Sequence, residues 1–204
     1  MTNNKSAAPR PYKIGSRQIA VAGILTAMTV VTTVFTKIPF PVILGYFNLG
    51  DTVVLIAGAA FGGYTGAFAG AVGSAAADLL TGGVIFAPIT FLVKGAEGLV
   101  AGALSGGGLA NGASASGILA GGGISRPGKK GAAKARRLAP ALFAAAAVMV
   151  AGYFLAEATV LAAVDRAFGL GAAVAELPFN LVQGGVSALL ARVAIEGFRR
   201  AGVF

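Results

Sequence analysis

The stretch from Tyr46 to Gly98 constrains this chain most. It is apolar enough for lipid, yet it carries Asn48, Asp51, Asp78, Lys94 and Glu97. An ionised side chain near the middle of a bilayer costs about 2.5–3.5 kcal/mol on insertion scales, so a membrane protein keeps one only when something offsets that cost. If all of these residues lie at one depth, they can form one site.

The rest of the chain supports a membrane setting. Of 204 residues 56% are hydrophobic and 11% charged, and the mean hydropathy is +0.83. A soluble domain has about 25% charged residues. Apolar runs separated by short polar breaks are the pattern of a polytopic all-α membrane protein. Cysteine and histidine are absent, which removes disulfides, Cys or His metal sites and histidine acid–base chemistry; no metal and no cofactor is expected. The apolar run after Arg17 continues too far for a signal peptide and lacks a small-residue cleavage site, so it reads as a retained first span.

Six spans are expected. The first runs from Gln18 to about Thr36 and stops at KIPFP (residues 37–41), where two prolines end a helix. The segment from Pro39 to Phe47 suits a surface loop. The second span starts between Leu44 and Asn48 and ends at Phe61, with Gly62 and Gly63 forming a tight turn into a third from Tyr64 to Leu80. The fourth covers Pro88 to Leu104, the fifth Ala139 to Ala163, and the sixth Ala172 to Phe198. The expected organisation is one membrane domain: an arm over 1–17, helices over 18–104, a flexible basic linker rich in Gly, Ala and Ser over 105–138, and two helices over 139–204.

The net charge of +9 would suggest nucleic acid in a soluble protein. Here the basic residues flank the spans and report topology instead. They cluster before the first span (Lys5, Arg10, Lys13, Arg17), in the linker (Arg126 to Arg137) and near the C-terminus (Arg192, Arg199, Arg200). With six spans and a cytoplasmic N-terminus, all three clusters and the C-terminus fall in the cytoplasm, which is the positive-inside pattern. Five or seven spans would split them.

That topology gives each buried polar residue a depth, since a helix rises about 1.5 Å per residue. Asn48 and Asp51 open the descending second span, and Asp78 closes the ascending third. Lys94 and Glu97 lie in the outer half to middle of the fourth, Glu157 is late in the fifth, and Asn180 and Gln183 are early in the sixth. All therefore belong to the external half, which describes a cup rather than a pore, because a channel or proton path has polar groups along its whole length. Other readings exist for single residues: Lys94 and Glu97 as a structural pair, Asp51 as a helix cap, Asp78 snorkelling at a helix end. None of them accounts for the shared depth. Tyr46, Phe47, Phe86, Phe91, Tyr153, Phe154 and Phe179 fall at the same level, as stacking partners for a flat ligand or as an interfacial aromatic belt. The pairs Gly58/Gly62, Gly66/Gly70 and Gly98/Gly102 read as close internal packing, and Gly23 with Ala27 has the same spacing and could dock a partner helix.

The segment GISRPGKK (123–130) falls one residue short of a phosphate-binding loop, since lysine replaces the magnesium-ligating hydroxyl and no strand precedes it. No nucleophile–base pair is present, so no enzyme activity is expected.

The segments NLGDTVVLIAGAAFGG, GAVGSAAADLL, FAPITFLVKGAEGLVAG, GYFLAEA and ELPFNLVQGGV resemble, in order, the substrate-capturing S components of energy-coupling factor (ECF) vitamin transporters, in the riboflavin-type group. The resemblance spans Gln18 to Ile195. It implies a six-helix protein in the cell membrane of a prokaryote that captures a water-soluble vitamin or precursor from outside, riboflavin or a thiamine-related compound. It also implies a transmembrane coupling subunit and two ATP-hydrolysing subunits as partners, with Gly23 and Ala27 at the interface. From their shared depth, the residues expected to hold that substrate are Tyr46, Phe47, Asn48, Asp51, Asp78, Phe91, Lys94, Glu97, Tyr153, Glu157, Asn180 and Gln183. The rival readings are an autonomous secondary carrier and a structural membrane-assembly protein.

Overall fold

A computed structural model describes residues 16–39, 45–105 and 129–202, with backbone alone over 129–136. The terminal arm before Ser16, the residues 40–44 and the linker segment 106–128, including most of the near-miss phosphate loop, lie outside the described residues.

The structure is a bundle of six helices. Helix α1 is Ser16–Phe35. Two short antiparallel strands follow, β1 (Ile38–Pro39) and β2 (Tyr46–Phe47), with Ile38 opposite Phe47. Helix α2 is Gly50–Phe61. Helix α3 covers residues 63–80 and holds a π-helical stretch, Ala69–Ser74, between α-helical Gly63–Phe68 and Ala75–Leu80. Helix α4 is Ala87–Leu104. Helix α5 covers residues 129–164, with a second π-helical stretch at Glu157–Leu161. Helix α6 is Leu170–Arg200.

Four helices, α1, α4, α5 and α6, are long and apolar enough to cross a membrane. Helix α2 is shorter: 12 residues rise about 18 Å, against about 30 Å of hydrocarbon. The chain before it completes the wall. Asn48 Oδ1 accepts the Gly50 N–H at 2.8 Å, and Thr36 Oγ1 on the chain leaving α1 accepts the Leu49 N–H at 2.8 Å. These bonds satisfy backbone donors that have no helical partner and no water in lipid.

Helix α5 starts at Lys129, ten residues before the expected Ala139, so the end of the expected linker is helical. Alanine, lysine and arginine, which dominate residues 129–138, are among the strongest helix formers. The turn between α2 and α3 is the expected glycine: Gly62 has φ +106°, a conformation side chains with a Cβ rarely adopt.

Helix α4 is central and packs against α2, α3 and α5, while α6 closes the ring against α5 and α2. Glycines permit this closeness. A Cβ on Gly66 would stand 2.6 Å from the Gly58 nitrogen, and one on Gly98 or Gly102 would strike the backbone of Gly66 or Gly63. The glycine pairs are thus internal packing, as expected. Helix α1 lies outermost, with Gly23, Ile24, Ala27, Met28 and Val31 exposed along one face.

Candidate solute-binding recess

The C-terminal ends of α1, α3 and α5 and the N-terminal ends of α2, α4 and α6 meet at one end of the bundle, beside the β1–β2 hairpin. There the buried polar residues converge. Lys94 Nζ donates to Asp51 Oδ1 and, at 3.3 Å, to Glu97 Oε2. Gln183 Nε2 donates to Asp51 Oδ2 at 2.9 Å, and Gln183 Oε1 accepts the Asn48 N–H at 2.8 Å. Three helices and the hairpin exit are therefore tied by one buried network. The reading of Asp51 as a helix cap does not hold: its carboxylate is committed to Lys94 and Gln183, and α2 has no side-chain cap bond. The Lys94–Glu97 pair is present, but as part of a triad with Asp51.

A second cluster latches the hairpin to α3. The Tyr46 hydroxyl donates to Asp78 Oδ1, Lys37 Nζ lies 3.9 Å above the Tyr46 ring, and Lys37 also donates to Thr81 Oγ1 at 2.7 Å. Burial, and then the adjacent Asp78, push the Tyr46 phenol well above its ordinary range, so it stays a donor. Burial lowers the Lys37 ammonium against an opposing pull from Asp78. Asp78 is fully buried and held by the tyrosine rather than snorkelling.

Between these clusters lies a recess of about 470 Å³ measured out to its open mouth. Its wall comes from every helix but α2: Thr33 of α1, Ser74 of α3, Phe86, Thr90 and Lys94 at α4, Tyr153 and Glu157 of α5, and Glu176, Asn180 and Gln183 of α6, with Gly45, Tyr46 and Asn48 from the hairpin side. Ser74 ends one π-helical stretch and Glu157 begins the other. Such irregular turns are frequent at functional sites.

Of the residues named from sequence, Tyr46, Asn48, Lys94, Tyr153, Glu157, Asn180 and Gln183 line the recess. Asp51, Asp78 and Glu97 are buried behind the wall as partners of Lys94 and Tyr46. Phe47 is half-buried and Phe91 is 46% exposed, and neither reaches the recess. On α4 it is Thr90 that turns inward, and it accepts the Tyr153 hydroxyl at 3.1 Å.

Sequence reasoning missed Glu176. Its spacing to Asn180 and Gln183, i, i+4 and i+7, puts all three on one face of α6. Glu176 of α6 and Glu157 of α5 lie close enough on the recess wall to interact, with Gly45 beside Glu176. A Cβ at Gly45 would lie 2.5 Å from Glu176 Oε2. Asn180, only 8% exposed, lines the recess with no protein partner for its amide among the described residues.

The family model for the S component of ECF-type riboflavin transporters matches residues 13–200. A solved structure described as the S component of a bacterial ECF transporter has a TM-score of 0.60 and 19% identity, covering 91% of this chain and 95% of that one. Its likeness is one of fold. An uncharacterised protein of Pyrococcus woesei is 43% identical over 77 residues, 38% of this chain. The match spans about half the length of that relative. Nearly the whole chain, all six helices included, thus falls under a single family, and the chain belongs to the ECF-type riboflavin transporter S components, the substrate-binding membrane subunits of ECF transporters.

Proposed function

We propose that this chain captures a flat, water-soluble vitamin or precursor, riboflavin or a thiamine-related compound, from the external side of a prokaryotic cell membrane. An ATP-driven module, with one transmembrane coupling subunit and two ATP-hydrolysing subunits, then completes import. The observation that carries this reading is the recess itself, with the buried Asn180 amide on its wall and without a partner among the described residues.

Orientation follows from charge. Arg17, Arg137, Arg199 and Arg200 sit at the helix ends opposite the recess, and the positive-inside rule puts that end in the cytoplasm, with both termini. Beneath the recess the bundle closes on Leu55, Ala59, Leu138, Leu142, Ala188 and Ile195, all buried. A secondary carrier would need polar groups through that level. The exposed small-residue face of α1 at Gly23 and Ala27 is the surface on which a coupling subunit can approach closely.

In the site, Tyr153, Tyr46 and Phe86 offer ring faces, and Asn180 offers both a donor and an acceptor. The Asp51–Lys94–Glu97 triad and Gln183 form the floor, with their hydrogen bonds largely committed to one another. The recess is open at its mouth, beside the hairpin residue Tyr46.

The test is binding of riboflavin and of thiamine to the purified protein in lipid nanodiscs, by calorimetry and thermal unfolding. A ligand at 100 times its Kd should raise the unfolding free energy by about 2.7 kcal/mol. Asn180→Ala should weaken binding by about tenfold or more, since the amide is made to pair with the ligand. Unchanged affinity in Asn180→Ala would remove the recess as the site.

A further inference from the structure

The charge balance of the recess is one-sided. Its cationic and phenolic donors are engaged inside the protein, Lys94 on two carboxylates, Tyr46 on Asp78 and Tyr153 on Thr90, as is the Gln183 amide on Asp51. Among the described residues the Asn180 amide and the Thr33 hydroxyl remain as neutral groups that can donate or accept. Glu157 Oε2, Glu97 Oε1 and Asp78 Oδ2 are buried carboxylate oxygens without a partner among the described residues. Two carboxyl groups, those of Glu157 and Glu176, line the recess, and those of Asp51, Asp78 and Glu97 stand behind its wall as partners of Lys94 and Tyr46.

Resting on the capture role above, we propose that the recess selects a ligand with a cationic or amidine-type donor edge, seated between Glu157 and Glu176, and rejects anions. The geometry suits that chemistry. Glu157 and Glu176 both line the recess, from neighbouring helices and close enough to interact, so an edge of two parallel N–H groups can bridge them with charge-assisted hydrogen bonds. The Glu157 oxygen that faces no partner then gains one. Asn180, one turn from Glu176 on α6, more than nine-tenths buried and without a partner among the described residues, is placed to read the polar atom next along the ring. An anionic group would meet carboxylates with no uncommitted cation, and like charges in a poorly solvated site repel strongly.

The experiment compares thiamine, riboflavin and riboflavin 5′-phosphate on the full chain in nanodiscs, with Glu157→Gln and Glu176→Gln beside the unaltered protein. Thiamine, a cation with an aminopyrimidine edge, should bind tighter than riboflavin by about tenfold or more, and each Glu→Gln change should weaken it by about tenfold while leaving riboflavin within about twofold. Riboflavin 5′-phosphate should give no stabilisation. Riboflavin binding more tightly than thiamine, or the phosphate binding as well as riboflavin, overturns the inference and leaves the capture role standing. If no vitamin stabilises the folded protein, the capture role itself falls. The preference of the unaltered protein decides the matter even if a variant does not fold.

Discussion

The two ends of this bundle are built from the same helices and have opposite characters. At the basic end α2, α4, α5 and α6 meet through Leu55, Ala59, Ala101, Leu138, Leu142, Ala191 and Ile195, a dry cluster in which Ser105 bonds to the Ala59 and Gly102 carbonyls. At the hairpin end the same helices meet through Asp51, Lys94, Glu157, Glu176, Asn180 and Gln183. One end holds the helices by close packing, which in lipid depends on dispersion contacts rather than on a hydrophobic driving force. The other concentrates ionisable groups where they are tolerable only as a mutual network. Close packing and polar networks are therefore separated along the axis of the molecule, and the proposed recognition site belongs to the second.

The largest expected effect comes from breaking the network. Lys94→Met leaves Asp51 and Glu97 facing each other without their shared cation and should destabilise the protein by about 3–5 kcal/mol, read as a loss of folded fraction in detergent titration. A drop under about 1 kcal/mol would mean that the triad is weakly coupled to the fold. A smaller effect is expected at the dry end. Leu142→Ala should cost about 2 kcal/mol, the low end for such a cavity, because lipid is as apolar as the protein interior and only the lost packing counts. Vitamin affinity should remain within about twofold, since the site is distant; a large loss of affinity would show that the two ends are mechanically linked. The smallest effect is expected at Phe91, which points away from the recess: Phe91→Ala should shift stability by about 0.5 kcal/mol or less and leave binding intact. A clear loss of affinity there would return Phe91 to the site.

Much of the polar end was legible in the sequence because membrane depth is arithmetic. The topology expected from the basic residues and a fixed rise per residue place Asn48, Asp51, Lys94, Glu157, Asn180 and Gln183 at one level. Depth does not specify direction around a helix. Phe91 and Thr90 are neighbours at nearly the same height, and only packing shows that Thr90 faces Tyr153 while Phe91 faces outward. Glu176 was overlooked for a related reason: so near the start of an apolar run, a glutamate looks interfacial until α5 brings Glu157 against it. The π-helical stretches of α3 and α5 have no signature in composition at all, because an extra residue per turn changes register without changing hydropathy.

The sequence by itself determined that the chain is a six-helix membrane protein, that its polar residues share one end, and which segments carry the family resemblance. These follow from apolar length, from charge asymmetry and from the cost of burying ions in lipid. Only the tertiary structure decided which polar groups are spent on one another and which remain open to a ligand. That division depends on side-chain pairing across helices far apart in the chain, such as Asp51 with Lys94 and Gln183, or Glu157 with Glu176. Local spacing cannot contain it, because each pair exists only once the helices are packed.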